Sequence, residues 1–113
     1  MIRLTDVPRG TYLDLLPEDV VRDRAALRVI DVREPDEYRG DLGHIAGAEL
    51  VPLSHIATSA TSWAKDSELV IVCRSGGRSA RAASMLVNLG FGRVRNMLGG
   101  MLRWRDEGRP VER

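Results

Sequence analysis

Cys73 is the only cysteine in the chain, and it is followed by Arg74, Ser75, Gly76, Gly77, Arg78 and Ser79. A cysteine reacts as its thiolate, and nearby positive charge or converging N–H donors stabilise that form. Gly76 and Gly77 can adopt backbone angles closed to other residues and leave room for close approach. Successive amides curled in such a loop, at the start of a helix near Arg78, make a nest for negative charge. Arg74 and Arg78 flank it with guanidinium groups suited to oxyanions. The pattern therefore points to a nucleophilic Cys73 activated without a paired histidine. Two plainer readings stand beside it: a small buried hydrophobe ending a strand, or an anion cradle in which the thiol is incidental. The loop lacks the Gly-Lys-Ser/Thr ending of a nucleotide P-loop.

The elements around the loop decide where the thiol stands. Leu69 to Cys73 is a short continuous apolar run, the signature of a strand buried on both faces. Arg28 to Val32, Glu49 to Leu53 and Arg93 to Met97 read as further strands. Helical segments are expected from Pro17, over Glu34 to Tyr38, over Ser54 to Lys65, after Arg78, and around Met101 to Asp106. In the fourth of these, Ala82, Met85, Leu86 and Leu89 share one face, and Gly90 stands where a C-terminal cap belongs. The first fifteen residues read as irregular, with a turn at Pro8-Arg9-Gly10. Alternating strands and helices specify an α/β fold with a parallel sheet, in which ligands bind beyond the carboxyl ends of the strands.

The totals bound the function. At 113 residues, 43% hydrophobic and 29% charged, the chain has the composition of one soluble globular domain. A net charge of +1 gives no bulk attraction to nucleic acid or an anionic membrane. A single cysteine excludes an internal disulfide, and with two histidines it makes a poor zinc set. No apolar run is long enough to span a bilayer, and the N-terminus lacks a secretory pattern. The expected location is the cytoplasm, with no metal and no cofactor.

The loop from Cys73 to Ser79 resembles the active-site loop of single-domain rhodaneses, the thiosulfate sulfurtransferases. Asp31-Val32-Arg33-Glu34, Glu37-Tyr38, Gly43 to Ala48 and Pro52 resemble that family's upstream signature. Asn96 to Met101 with Trp104 resembles its C-terminal one. The likeness covers about residues 17 to 110. It implies a three-layer α/β fold with about five parallel strands and helices on both faces, in a domain at 17–113 preceded by an extension at 1–16. It also implies a two-step reaction through a Cys73 persulfide. The donor would be thiosulfate or a low-molecular-weight persulfide, and the acceptor cyanide, a thiol or a partner protein. The loop amides from Arg74 to Ser79 would stabilise charge, and Arg74 and Arg78 would steer an anionic donor. Asp31 and Arg33 are carried over as residues that support the loop, the alternative being a surface salt bridge. His44 is structural in the matching motif, His55 reads as surface, and Trp63 and Trp104 as packing residues.

Two other functions fit parts of the pattern. A persulfide carrier serving a partner protein would use the same thiol. Phosphatases and arsenate reductases of this fold use a cysteine, five residues and an arginine. Here four residues separate Cys73 from Arg78, and Ser79 stands where that arginine would be. The shorter loop favours a sulfur atom over a tetrahedral phosphate.

Overall fold

In the computed structural model, which describes residues 11–113, the apolar run at Leu69 becomes the centre of the sheet. The strands are β1 (Leu13–Leu15), β2 (Arg28–Asp31), β3 (Glu49–Leu50), β4 (Leu69–Val72) and β5 (Val94–Met97). All pair in parallel, in the order β1-β5-β4-β2-β3. Because strand side chains alternate, β4 feeds two cores at once. Leu69, Ile71 and Cys73 enter the layer shared with Ile56 of α3 (Ile56–Ser59) and with Ala82, Ala83 and Leu86 of α4 (Gly77–Asn88). Val70 and Val72 enter the opposite layer, with Val20 of α1 (Pro17–Arg22) and with Met101 and Trp104 of α5 (Gly100–Asp106). The period of two thus delivers Cys73 to the α4 side of the sheet.

The connectivity places a crevice at the same end. From β2 the chain passes through α2 (Pro35–Tyr38) to β3 on one side, then crosses back to β4 and β5 on the other. The reversal falls between β2 and β4, and the carboxyl ends of strands at such a switch point are where α/β sheets bind ligands. Asp31 ends β2 with Arg33 just beyond it, and Cys73 lies just beyond β4. No helix among the described residues is long and apolar enough to cross a membrane.

Three local readings change. Leu13–Leu15, expected to be irregular, form the edge strand β1 against Arg95, Asn96 and Met97. Three residues are too few to show a period, and it is β5 that makes them a strand. The rest of the 1–16 extension lies largely outside the described residues. Ser54 to Lys65 is not one helix: α3 is four residues long, flanked by 3-10 turns at Leu53–His55 and Ala60–Ser62. Its hydroxyls bond back to the chain, Thr61 Oγ1 to the Thr58 carbonyl at 2.7 Å and Ser62 Oγ to that of Ser59 at 3.2 Å, which competes with helix propagation. Finally, Leu89 is 42% exposed. It caps α4 at its C-terminal end, and the buried stripe is Ser79, Ala82, Ala83 and Leu86.

Candidate active site

The β4 strand stops at Val72, and the next residues turn sharply back over it. Gly76 has φ +113°, a left-handed conformation that a side chain would strain, and α4 begins immediately after it. Gly77 is different. Its φ is ordinary, it opens the helix, and a Cβ there would meet nothing within 4 Å. Only the first glycine is required by the turn.

The loop closes on Cys73, which is 1% exposed. The Gly76 N–H donates to Sγ at 3.0 Å, and the thiol donates to Ser79 Oγ at 3.3 Å. Burial pushes the thiol pKa up. Hydrogen bonding with the Ser79 side chain and with the amides of Ser79, Gly76 and Ser75 pulls it down, and the net is a thiol below its ordinary range. The sulfur therefore sits in a water-poor pocket whose donors match a negative charge, which is what a thiolate nucleophile needs.

The two flanking arginines diverge. Arg78 forms a two-pronged ion pair with Glu37, Nη1–Oε1 at 2.7 Å and Nη2–Oε2 at 2.8 Å. Arg78 beside it, with help from the Glu34 N–H, holds the Glu37 carboxyl down to about 2 against the cost of burial. A carboxylate held down in this way stabilises the fold fully above its ordinary range, and that stabilisation is lost as pH falls toward 2. Arg74 is exposed and lines a cleft of about 370 Å³ with Arg33, Asp36, Leu42, Leu102 and Arg105.

Asp31 and Arg33 are not a surface salt bridge: both are 0% exposed. Arg33 Nη2 meets Asp31 Oδ2 at 2.7 Å and Nε meets Oδ1 at 2.9 Å. The same guanidinium donates to the carbonyls of Gly43 at 2.7 Å and Glu37 at 3.2 Å. Arg33 thus fastens α2 to the end of β2, and α2 carries the Glu37 that holds Arg78. His44 packs structurally, stacked on Tyr38 at 3.7 Å with Nδ1 2.9 Å from the Tyr38 carbonyl. Trp104 is a core residue whose Nε1 donates to the Pro110 carbonyl, and Trp63 meets Phe91 edge-on. Among the described residues no group of three or more His, Cys, Asp or Glu side chains could hold a metal ion.

Several participants have no role in the sequence reading. Glu37 is one. Asn96 is another: its Oδ1 accepts from Ser79 Oγ at 2.5 Å, and Nδ2 donates to Asp14 at 3.1 Å. Asn96 stands beside Arg95 in a strand of only four residues, so its polarity alone does not single it out, and nothing marks Asp14. Gly100 is a third. The first turn of α5 abuts the loop, with the Met101 N–H bonded to the Cys73 carbonyl at 2.9 Å and the Leu102 N–H to that of Arg74 at 3.0 Å. A Cβ on Gly100, at φ +57°, would stand 2.5 Å from both carbonyl oxygens. Gly100→Ala should therefore cost about 2–4 kcal/mol in urea unfolding and displace Cys73. Gly108→Ala, at φ +72° but in open space, should cost only about 1 kcal/mol. Equal losses would show that conformational strain, not contact with the loop, fixes Gly100.

The comparisons with known proteins agree with this geometry. The family model for the rhodanese-like domain matches residues 16–107. A sulfurtransferase of Allochromatium vinosum is 36% identical over 89 residues, spanning 79% of this chain and 81% of that protein. The thiosulfate sulfurtransferase GlpE of Pseudomonas aeruginosa is 32% identical over 98 residues, spanning 85% and 86%. A solved structure of a rhodanese-related protein from Thermoplasma volcanium superposes with a TM-score of 0.82 at 32% identity, covering 89% of this chain and 98% of that one. The chain belongs to the rhodanese-like domain family.

Proposed function

We propose that the protein is a sulfurtransferase that carries sulfane sulfur on Cys73. The observation that carries this reading is the pocket itself: one buried sulfur held by the Gly76 N–H at 3.0 Å, with the Ser79 hydroxyl beside it. The Cys73 thiolate attacks the outer sulfur of thiosulfate or of a low-molecular-weight persulfide. A new S–S bond forms, the donor's S–S bond breaks, and sulfite or a thiolate leaves with the electron pair. The leaving group is already an anion, so no general acid is needed. Cyanide, a thiol or a partner protein's thiolate then attacks the outer sulfur of the persulfide, and the Cys73 thiolate is released. Both steps keep negative charge within the loop, where fixed amides stabilise it without reorganisation. The setting we assign is the cytoplasm, whose reducing pool supplies thiol acceptors.

The experiment is intact mass spectrometry after incubation with thiosulfate and, separately, with glutathione persulfide. The expected result is a gain of one sulfur atom, mapped to the Cys73 peptide and removed by reductant or cyanide. No adduct from any sulfane donor would end the proposal.

The arginines divide the work of attraction. Arg78 is already committed to Glu37, so Arg74 is the cation we assign to meeting the incoming anion. Arg74→Ala should raise the KM for thiosulfate about fivefold, the equivalent of about 1 kcal/mol, and leave kcat nearly unchanged. A neutral alkyl persulfide should show a smaller effect. Equal losses for the two donors would assign Arg74 to loop structure instead.

A further inference from the structure

The Ser79 hydroxyl has one proton and three neighbours. Cys73 Sγ lies at 3.3 Å, the Gly76 carbonyl at 3.1 Å and Asn96 Oδ1 at 2.5 Å. Ser79 is 0% exposed and Asn96 4% exposed, so water does not supply the difference. Which neighbour receives the proton depends on which way the Asn96 carboxamide faces. That orientation is set from outside the pocket. Asp14 stands opposite Asn96 in the β1–β5 register, and its Oδ1 lies 3.1 Å from Asn96 Nδ2. A carboxylate only accepts hydrogen bonds, so it must face the amide nitrogen, and Oδ1 is then turned toward Ser79.

We propose that Asp14 is a positioning residue for Cys73: it fixes the Asn96 carboxamide, which turns the Ser79 proton away from Sγ and holds the resting sulfur as a thiol. Ionisation of Cys73 asks for the opposite arrangement, with Ser79 donating to the sulfur. Turning the hydroxyl alone would leave Oγ and Oδ1 at 2.5 Å with no proton between them, and the Gly76 carbonyl has none to give. Half a turn of the carboxamide relieves that contact but points Oδ1 at the Asp14 carboxylate, acceptor against acceptor. The loop amides favour the thiolate unconditionally, whereas the Ser79 hydroxyl does so only against the hold of Asp14. The charged group facing the sulfur from α4 is Arg78, whose pairing with Glu37 involves neither Asn96 nor Asp14. Asp14 is exposed and lies outside the matched residues 16–107, so this control reaches the Cys73 loop from the edge strand.

The proposal rests on Cys73 as the nucleophile of the function above, but its test reads the thiol without any sulfur transfer. Because Cys73 is the sole cysteine, iodoacetamide alkylation of the full chain, followed by intact mass across pH, reports that one ionisation. Asp14→Asn offers Asn96 a partner in either orientation. It should move the alkylation midpoint to lower pH by roughly half to one unit, the scale of one hydrogen bond to a charged sulfur net of the carboxamide turn. The shift should vanish when Ser79 is alanine, and it should persist in 1 M salt, where the bare field of an exposed carboxylate is screened. An unchanged midpoint would overturn the proposal. So would a shift that survives Ser79→Ala or disappears in salt, since either identifies a field effect; if Ser79→Ala does not fold, the salt series decides. Absence of sulfur transfer with the shift intact would sink the functional reading and leave this one standing.

Discussion

Cys73→Ser is expected to lower sulfur transfer by at least about 10³-fold, the scale seen when a nucleophile that works as part of a unit is removed. Serine presents its oxygen to the same donors, but an alkoxide is far out of reach at neutral pH, and oxygen does not form the exchangeable bond to sulfur that turnover requires. The fold should barely register the change. Cys73 is 1% exposed and bonded to Gly76 and Ser79, and a hydroxyl of slightly smaller size can make both bonds. Thermal unfolding within about 1 kcal/mol of the parent, together with loss of turnover from thiosulfate to cyanide, is the expected pair of results. Residual transfer within tenfold of the parent would move the chemistry elsewhere in the molecule.

Arg33→Met is expected to cost about 3–5 kcal/mol of stability, the largest loss we assign to any single side chain. Methionine fills much of the space, so packing is not the reason. Asp31, 0% exposed, would be left buried without its partner, and the carbonyls of Gly43 and Glu37 would each lose a donor. Urea unfolding measures the loss directly. The double change Asp31→Leu with Arg33→Met should recover part of it, because the orphaned carboxyl group is gone while the two carbonyls remain unserved. A double variant no more stable than the single one would mean that the carbonyl bonds, rather than the ion pair, hold α2 in place. Transfer activity should fall with stability even in the folded fraction, since α2 carries the Glu37 that holds Arg78.

The sequence shows some of this directly and hides the rest for identifiable reasons. The run at Leu69 announces a strand buried on both faces, and the glycines after it announce a turn. Together they locate Cys73 and its amides. What they cannot show is which polar groups are buried. Asp31 and Arg33 read like any charged pair at a strand end, because burial of a pair is decided by what packs over it, here α2 and the Gly43 turn. Arg78 reads as a free cation because Glu37, forty-one positions earlier, becomes its neighbour only when β2 and β4 lie side by side. Leu89 obeys the helical period but falls after α4 has ended. Asp14 carries no signal at all, since its importance comes from the register of β1 on β5.

That register has a temporal meaning. Asp14 and Asn96 are eighty-two positions apart, and among the described residues β1 pairs in the sheet with β5 alone. On a ribosome the strand that carries Asp14 waits for its partner β5 until some eighty further residues have been made. Cys73, Gly76 and Ser79 are made before then, but Asn96 has yet to appear between Ser79 and Asp14. A nascent chain stopped short of β5 therefore carries Cys73 without the Asn96–Asp14 contact, and under the proposal above the thiol comes under the control of the edge strand only once β5 has joined the sheet.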